Sequence, residues 1–153
     1  QWVAASYEPF GLVSGLLSLI HPQQYSSGRR TLGRCLSNAR LHSAVDAWPS
    51  VFGAMSVMSN RQSILHRDTS GRPSWYDVLA SIGNYKGGTV SLPGLGVNLE
   101  YAPGTIVALY GKLLRHGVPV CSGNRVCYAF YMRDDVQAWA GVETPTWSKG
   151  PAF

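Results

Sequence analysis

The sequence predicts a mainly β, α+β fold, with N-terminal helices supporting a β core of the sandwich, barrel or jelly-roll kind. Three observations carry that reading. Apolar residues recur at helical spacing before Asp46 and lose that spacing afterwards. From Ala47 to Met132, runs rich in β-branched and aromatic residues alternate with Gly and Pro breaks, giving about eight short strands. The chain also carries 17 Gly, 9 Pro, 5 Trp and 8 Tyr, which suits many turns and aromatic strands. Its 153 residues allow one real core, and 45% apolar against 14% charged residues exclude a disordered chain. The expected organisation is a single domain over 1–153: helical support in 1–46, a β core in 47–133 and a loop-like tail in 134–153.

The elements follow in order. Residues 9–20 read as an apolar helix that His21-Pro22 ends. Ser26-Ser27 is the expected cap of a second helix running to about His42, with Leu32, Cys35, Leu36 and Ala39 on its apolar face. Its other face carries Arg29, Arg30, Arg34 and Arg40, which suits solvent first and phosphates second. After the break at Ala47-Trp48-Pro49-Ser50, strands are expected over 51–60, 64–69, 75–82, 89–92, 97–101, 105–110, 114–118 and 125–132. Pro103-Gly104 fits a tight turn with positive φ at the glycine. Ser122-Gly123-Asn124 reads as the turn before the last strand.

Composition narrows the setting. The formal net charge of +5 favours an anionic partner, although ordinary solubility explains it equally well. Three cysteines without a CxxC pair argue against a disulfide framework or a closed zinc site, and for a reducing compartment. No apolar run reaches membrane-spanning length and no signal peptide is visible. Gln1 as the first residue suggests an excised or processed piece.

The chemistry-bearing stretch is Leu65-His66-Arg67-Asp68-Thr69. On a strand, His66 and Asp68 share one face because side chains alternate. With His116 from a later strand they make two imidazoles and one carboxylate, the set that holds Fe(II) while leaving positions open for a co-substrate and O2. On the last expected strand Arg125, Cys127, Ala129, Tyr131 and Arg133 share a face. An arginine on so apolar a strand needs an anionic partner, and a bound dicarboxylate held by the guanidinium fork would supply one. Asn60 suits either a co-substrate contact or a turn, and Asp77 reads first as a polar strand residue and second as part of a substrate mouth. His-Arg-Asp also opens the protein-kinase catalytic loop, but Thr69-Ser70-Gly71 follows here and no DFG appears. A zinc hydrolase on the same ligands and a catalytically inactive β-sandwich remain open on the residues alone.

The ordered set Trp48-Pro49-Ser50-Val51-Phe52, Asn60, His66-Arg67-Asp68, Trp75-Tyr76-Asp77, Gly87-Gly88, Leu92-Pro93, Leu95-Gly96, Tyr101, Pro103-Gly104, Gly111, His116-Gly117 and Arg125 resembles the TET/JBP-like 2-oxoglutarate dioxygenases, most of all their fungal, transposon-associated members. The resemblance runs from about residue 18 to 145. It implies a double-stranded β-helix, Fe(II) on His66, Asp68 and His116, and 2-oxoglutarate on Arg125, with Asn60 beside it. Such enzymes couple oxidative decarboxylation of 2-oxoglutarate by O2 to hydroxylation of a C–H bond. In this family the substrate is a methylated base in DNA: 5-methylcytosine, the thymine methyl or, in some fungal relatives, N6-methyladenine. Tyr131 matches the aromatic that stacks on the flipped base. Arg133 stands where another base contact lies, and Gly71 replaces an asparagine that helps read cytosine. The cysteine-rich region of the animal enzymes is absent. Arg67 and Arg72 are candidates for DNA phosphate or for ordinary surface. The expected setting is intracellular and nuclear, the expected state a monomer, and no membrane contact is expected. A protein or small-molecule hydroxylase on the same core, or a non-catalytic remnant of a transposon, are the competing readings.

Overall fold

The computed structural model describes residues 2–149, apart from the side chain of Ala4. It divides into two compact units: one runs to Gly53 and resumes at Met132, and the other is Ala54–Tyr131.

The first unit is helical. After a short α1 (Trp2–Ala5), α2 (Tyr7–Ile20) buries Phe10, Val13, Ser14 and Leu17. The second long helix, α3, spans Pro22–Leu36, and its cap is His21 rather than Ser26-Ser27. The His21 ring accepts a hydrogen bond from Gln24 N at 3.2 Å, and Pro22 begins the helix where its missing N–H costs nothing. The helix also stops before His42. At its end the Asn38 side chain accepts from Arg40 N in a local turn, a competitor to helical pairing. A four-residue α4 (His42–Val45) follows.

The face that α3 buries is Gln24, Ser27, Gly28, Thr31 and Cys35, more polar than expected. Its partner is Gln137 of α5 (Asp134–Trp139), a helix where a loop-like tail was expected. Thr31 Oγ1 donates to Gln137 Oε1 at 2.7 Å, and Gln137 Nε2 donates to Ser27 Oγ. These bonds satisfy polar atoms that would otherwise be costly to bury.

The second unit is an antiparallel jelly roll of eight strands: β1 (Ala54–Ser59), β2 (Ser63–His66), β3 (Asp77–Lys86), β4 (Thr89–Leu92), β5 (Val97–Glu100), β6 (Ile106–Leu109), β7 (His116–Val118) and β8 (Ser122–Tyr131). One sheet has the order β1-β8-β3-β6 and the other β2-β7-β4-β5. The core between them contains Val90, Leu92, Tyr101, Val107, Leu109, Val118 and Cys127. Burying each such aliphatic side chain stabilises the unit by roughly 1.5–3 kcal/mol. The Pro103-Gly104 turn is as expected, with Gly104 at φ 88°. Ser122-Gly123-Asn124 is not a turn: it extends β8, pairing with Lys86, Tyr85 and Asn84 of β3. The long β3–β8 ladder is the rigid backing on which one end of the site is built.

Candidate metal centre and co-substrate pocket

His66 is the last residue of β2, and its antiparallel partner is His116, the first residue of β7. This pairing brings the two rings to a centroid distance of 4.4 Å. Asp68 arrives differently from the expectation. β2 ends at His66, so strand alternation does not place the carboxylate. Asp68 sits in the following loop, held by its backbone N–H donating to Gly111 O at 3.0 Å. The carboxylate still reaches both rings, at 3.5 Å from His66 Nε2 and 3.7 Å from His116 Nε2. One ligand atom from each residue fits within 4.8 Å of the others.

The backbone sets the tautomer of both imidazoles. His66 Nδ1 donates to Ile64 O at 2.8 Å, and His116 Nδ1 donates to Leu114 O at 3.0 Å. With Nδ1 tied to a carbonyl, Nε2 is the atom each ring turns towards the carboxylate. Two imidazole nitrogens and one carboxylate oxygen, preset in this way, are the donor set of a facial 2-His-1-carboxylate iron site. The His116 side chain is 6% exposed, against 42% for His66 and 38% for Asp68, so the site opens on the His66–Asp68 side.

Asp77, the first residue of β3, is buried beside Asp68. Burial, then the neighbouring Asp68 charge and the hydrogen bond to it, push the Asp77 carboxyl up to about 8. At neutral pH Asp77 is therefore mostly protonated and donates to Asp68. A Cβ at position 111 would run into both carboxylates, so Gly111 is required for this approach. Read from the sequence, Asp77 was a polar strand residue; its signal was a carboxylate opening an apolar run.

Arg125 lies on β8 at 3% exposure. Its Nη2 donates to Arg61 O at 2.5 Å, and its Cζ lies 5.9 Å from the centre of the Tyr101 ring. Its buried Nε has no hydrogen-bond partner among the described residues. A buried guanidinium with an open donor and, among the described residues, no salt-bridged carboxylate fits an incoming acid group. Cys127 is next on the same strand face, 3.3 Å from the Tyr101 hydroxyl, and burial pushes its thiol up, which keeps it neutral. Arg125, Tyr131 and the three candidate ligands all line one cavity of about 500 Å3.

The remaining candidates separate. Tyr131 lines this cavity, its hydroxyl 3.3 Å from Ser56 Oγ. Asn60 is turned to the strands instead: at φ 50° just after β1, its Oδ1 accepts from Arg125 N at 2.7 Å and its Nδ2 donates to Asn124 Oδ1. It fixes the start of the buried part of β8. Arg133 falls beyond the last strand, in the helical unit, where it pairs with Asp135 at 2.9 Å, so the alternation ends at Tyr131. Arg67 donates from Nε to Leu113 O at 2.9 Å, and both Arg67 and Arg72 lie outside the cavity lining. Arg61, not singled out from sequence, is exposed and lines the cavity.

Among the described residues, no helix is long and apolar enough to cross a membrane. No curated protein matches the chain. A family model does match, over residues 3–134, and its span includes every strand of the jelly roll, the His66–Asp68–His116 group and Arg125. The chain belongs to the Tet_JBP family, the oxygenase domain of the 2OGFeDO superfamily, whose dioxygenases use Fe(II), 2-oxoglutarate and O2.

Proposed function

We propose that this dioxygenase oxidises a methylated nucleobase in DNA, 5-methylcytosine or N6-methyladenine, with His66, Asp68 and His116 holding the iron and Arg125 the 2-oxoglutarate. The observation that carries the reading is one cavity lined by the three ligands, a buried arginine with an open Nε, and Tyr131. When bound, iron and co-substrate supply oxidative decarboxylation coupled to hydroxylation of a C–H bond. The chain's own residues divide the remaining work. His66 and His116 present Nε2 because their Nδ1 protons are tied to backbone carbonyls. Asp68 adds charge, and Asp77 steadies the Asp68 carboxylate through a side-chain hydrogen bond. Arg125 binds the co-substrate's acid group, while the Tyr101 ring packs beside the guanidinium.

On the same strand face as Arg125, with Cys127 and Ala129 between them, Tyr131 offers a ring for an unstacked base. The cavity volume lies in the range of sites that enclose a ligand larger than the co-substrate alone. A net charge of +5 favours a polyanionic substrate. An intracellular, nuclear setting is part of this proposal. A base must leave the duplex stack to reach the cavity, at a cost of a few kcal/mol.

The test is incubation with Fe(II) and 2-oxoglutarate on DNA carrying one modification at a time, followed by mass spectrometry of the nucleosides. Loss of 5-methylcytosine or N6-methyladenine supports the proposal. Succinate release with every methylated nucleoside intact assigns the core to a protein or small-molecule hydroxylase, and no succinate at all assigns it to a non-catalytic remnant.

A further inference from the structure

The five residues Tyr110–Leu114, between β6 and β7, bond to two of the candidate ligands and to the loop that carries Asp68. Tyr110 stacks on Tyr76 at a ring-centroid distance of 4.1 Å, beside Asp77. Gly111 O receives the Asp68 N–H, and its missing side chain leaves room for the Asp68 and Asp77 carboxylates. Lys112 Nζ donates to Gly71 O at 2.9 Å and to Thr69 O at 3.3 Å. Leu113 O accepts from Arg67 Nε, and Leu114 O accepts from the His116 ring. Two cations therefore bridge the same pair of loops in opposite senses. Arg67 reaches from the Asp68 loop to the 110–114 loop, and Lys112 reaches back.

We infer that Lys112 and Arg67 form a reciprocal latch that fixes the Asp68 loop, making both positioning residues for the metal. The reason is geometric. Asp68 is outside β2, so no sheet ladder holds it. Its carboxylate is 38% exposed, and besides the hydrogen bond from Asp77 the loop is tied to the 110–114 loop by the Asp68 N–H bond to Gly111 O and by the latch. A ligand on an unlatched loop would sample many positions, and that freedom would be lost again on metal binding. Outer hydrogen bonds of this kind typically change metal affinity by about 10–100-fold. The latch also gives Arg67 a task that needs no DNA contact.

The inference rests on the reading of His66, Asp68 and His116 as metal ligands, so the experiment has two arms. The first is hydrogen exchange on the metal-free protein, comparing wild type with Lys112→Met, which keeps the aliphatic stem and removes the donor. Exchange of the amides at 68–71 should accelerate by about tenfold or more while the jelly-roll core stays protected. The second arm is titration with Co(II) alone, followed by its absorption spectrum. Lys112→Met and Arg67→Leu should each weaken Co(II) binding by about tenfold, and Lys112→Arg, which keeps donors for both carbonyls, should stay within about threefold of wild type. A merely structural lysine would lower the melting temperature and leave the affinity of the folded protein unchanged. Unchanged exchange at 68–71, or faster exchange with unchanged Co(II) affinity in both variants, overturns the latch. Absent Co(II) binding in the wild type overturns the metal reading instead, and the exchange arm still decides whether the latch exists. Should Lys112→Met not fold, Arg67→Leu carries both arms.

Discussion

The arginine end of the cavity is a strand, whereas the metal end is assembled from strand termini and loops. Arg125 sits within β8, flanked by β1 and β3, at 3% exposure. Its place follows from a long ladder, with Gly83 opposite it on β3. At the other end, His66 is the last residue of β2, His116 is the first of β7, and Asp68 belongs to neither. There the geometry comes from single hydrogen bonds: two ring-to-carbonyl bonds, one backbone bond to Gly111, and the Lys112 and Arg67 bridges. A deep, rigid anchor suits a small dicarboxylate that must always bind in one pose. A more open, loop-built end suits a centre that must admit O2 and present a substrate.

Substitutions at the two ends should therefore fail in different ways. The largest effect is expected at the metal end. His66→Ala and Asp68→Ala should reduce succinate formation to background with the fold retained by circular dichroism; full activity in either would remove the iron assignment. At the arginine end, Arg125→Gln should raise the 2-oxoglutarate KM by about 10–100-fold, the loss of charge-assisted hydrogen bonds worth roughly 1.5–3 kcal/mol, with smaller change in kcat. An unchanged KM would place the anchor elsewhere, Arg61 being the cavity arginine next to consider.

Tyr131→Ala should lower kcat/KM on methylated DNA by about 5–100-fold, the range of a lost base-stacking contact, while DNA-independent succinate release persists. Equal loss of both activities would make Tyr131 structural. Gly111→Ala pushes on Asp68 and Asp77 and should weaken Co(II) binding by about tenfold while leaving the Arg125 end intact, as judged by the 2-oxoglutarate KM. The smallest effect on activity is expected far from either end. Thr31→Val leaves Gln137 Oε1 without its donor and should cost about 1–3 kcal/mol of stability in denaturant melts, with turnover unchanged where the variant is folded.

The same contrast governs what could be read from the sequence. The Arg125 face was legible because strand alternation is local, and Arg125, Cys127 and Tyr131 do line one cavity. The alternation carried the reading one step too far, to Arg133, because nothing local marks the residue at which a sheet partner ends. His66, Asp68 and His116 were legible as residue types in a workable order. The reason they converge was not, since a backbone bond to Gly111 and a clamp from Lys112 depend on a loop distant in sequence. The second helix cap was missed although Pro22 at the first turn pointed to it, and Ser26-Ser27 lie inside the helix. The α5 helix has six residues and little apolar period, and its principal tie is the buried Gln137 network, which only the fold brings together. Asp77 and Lys112 needed the structure for the same reason: their roles are relations to other residues, not properties of their own neighbourhoods.

The most direct test is the stoichiometry of one reaction: wild-type protein, Fe(II), 2-oxoglutarate and O2 on DNA containing methylated bases, with succinate and oxidised nucleosides counted in the same sample. Near-equal numbers of succinate molecules and base oxidation events are expected, with both falling to background in Asp68→Ala. Succinate formed without any change in the DNA bases would contradict nucleobase oxidation, and base oxidation undiminished in Asp68→Ala would contradict the metal centre itself.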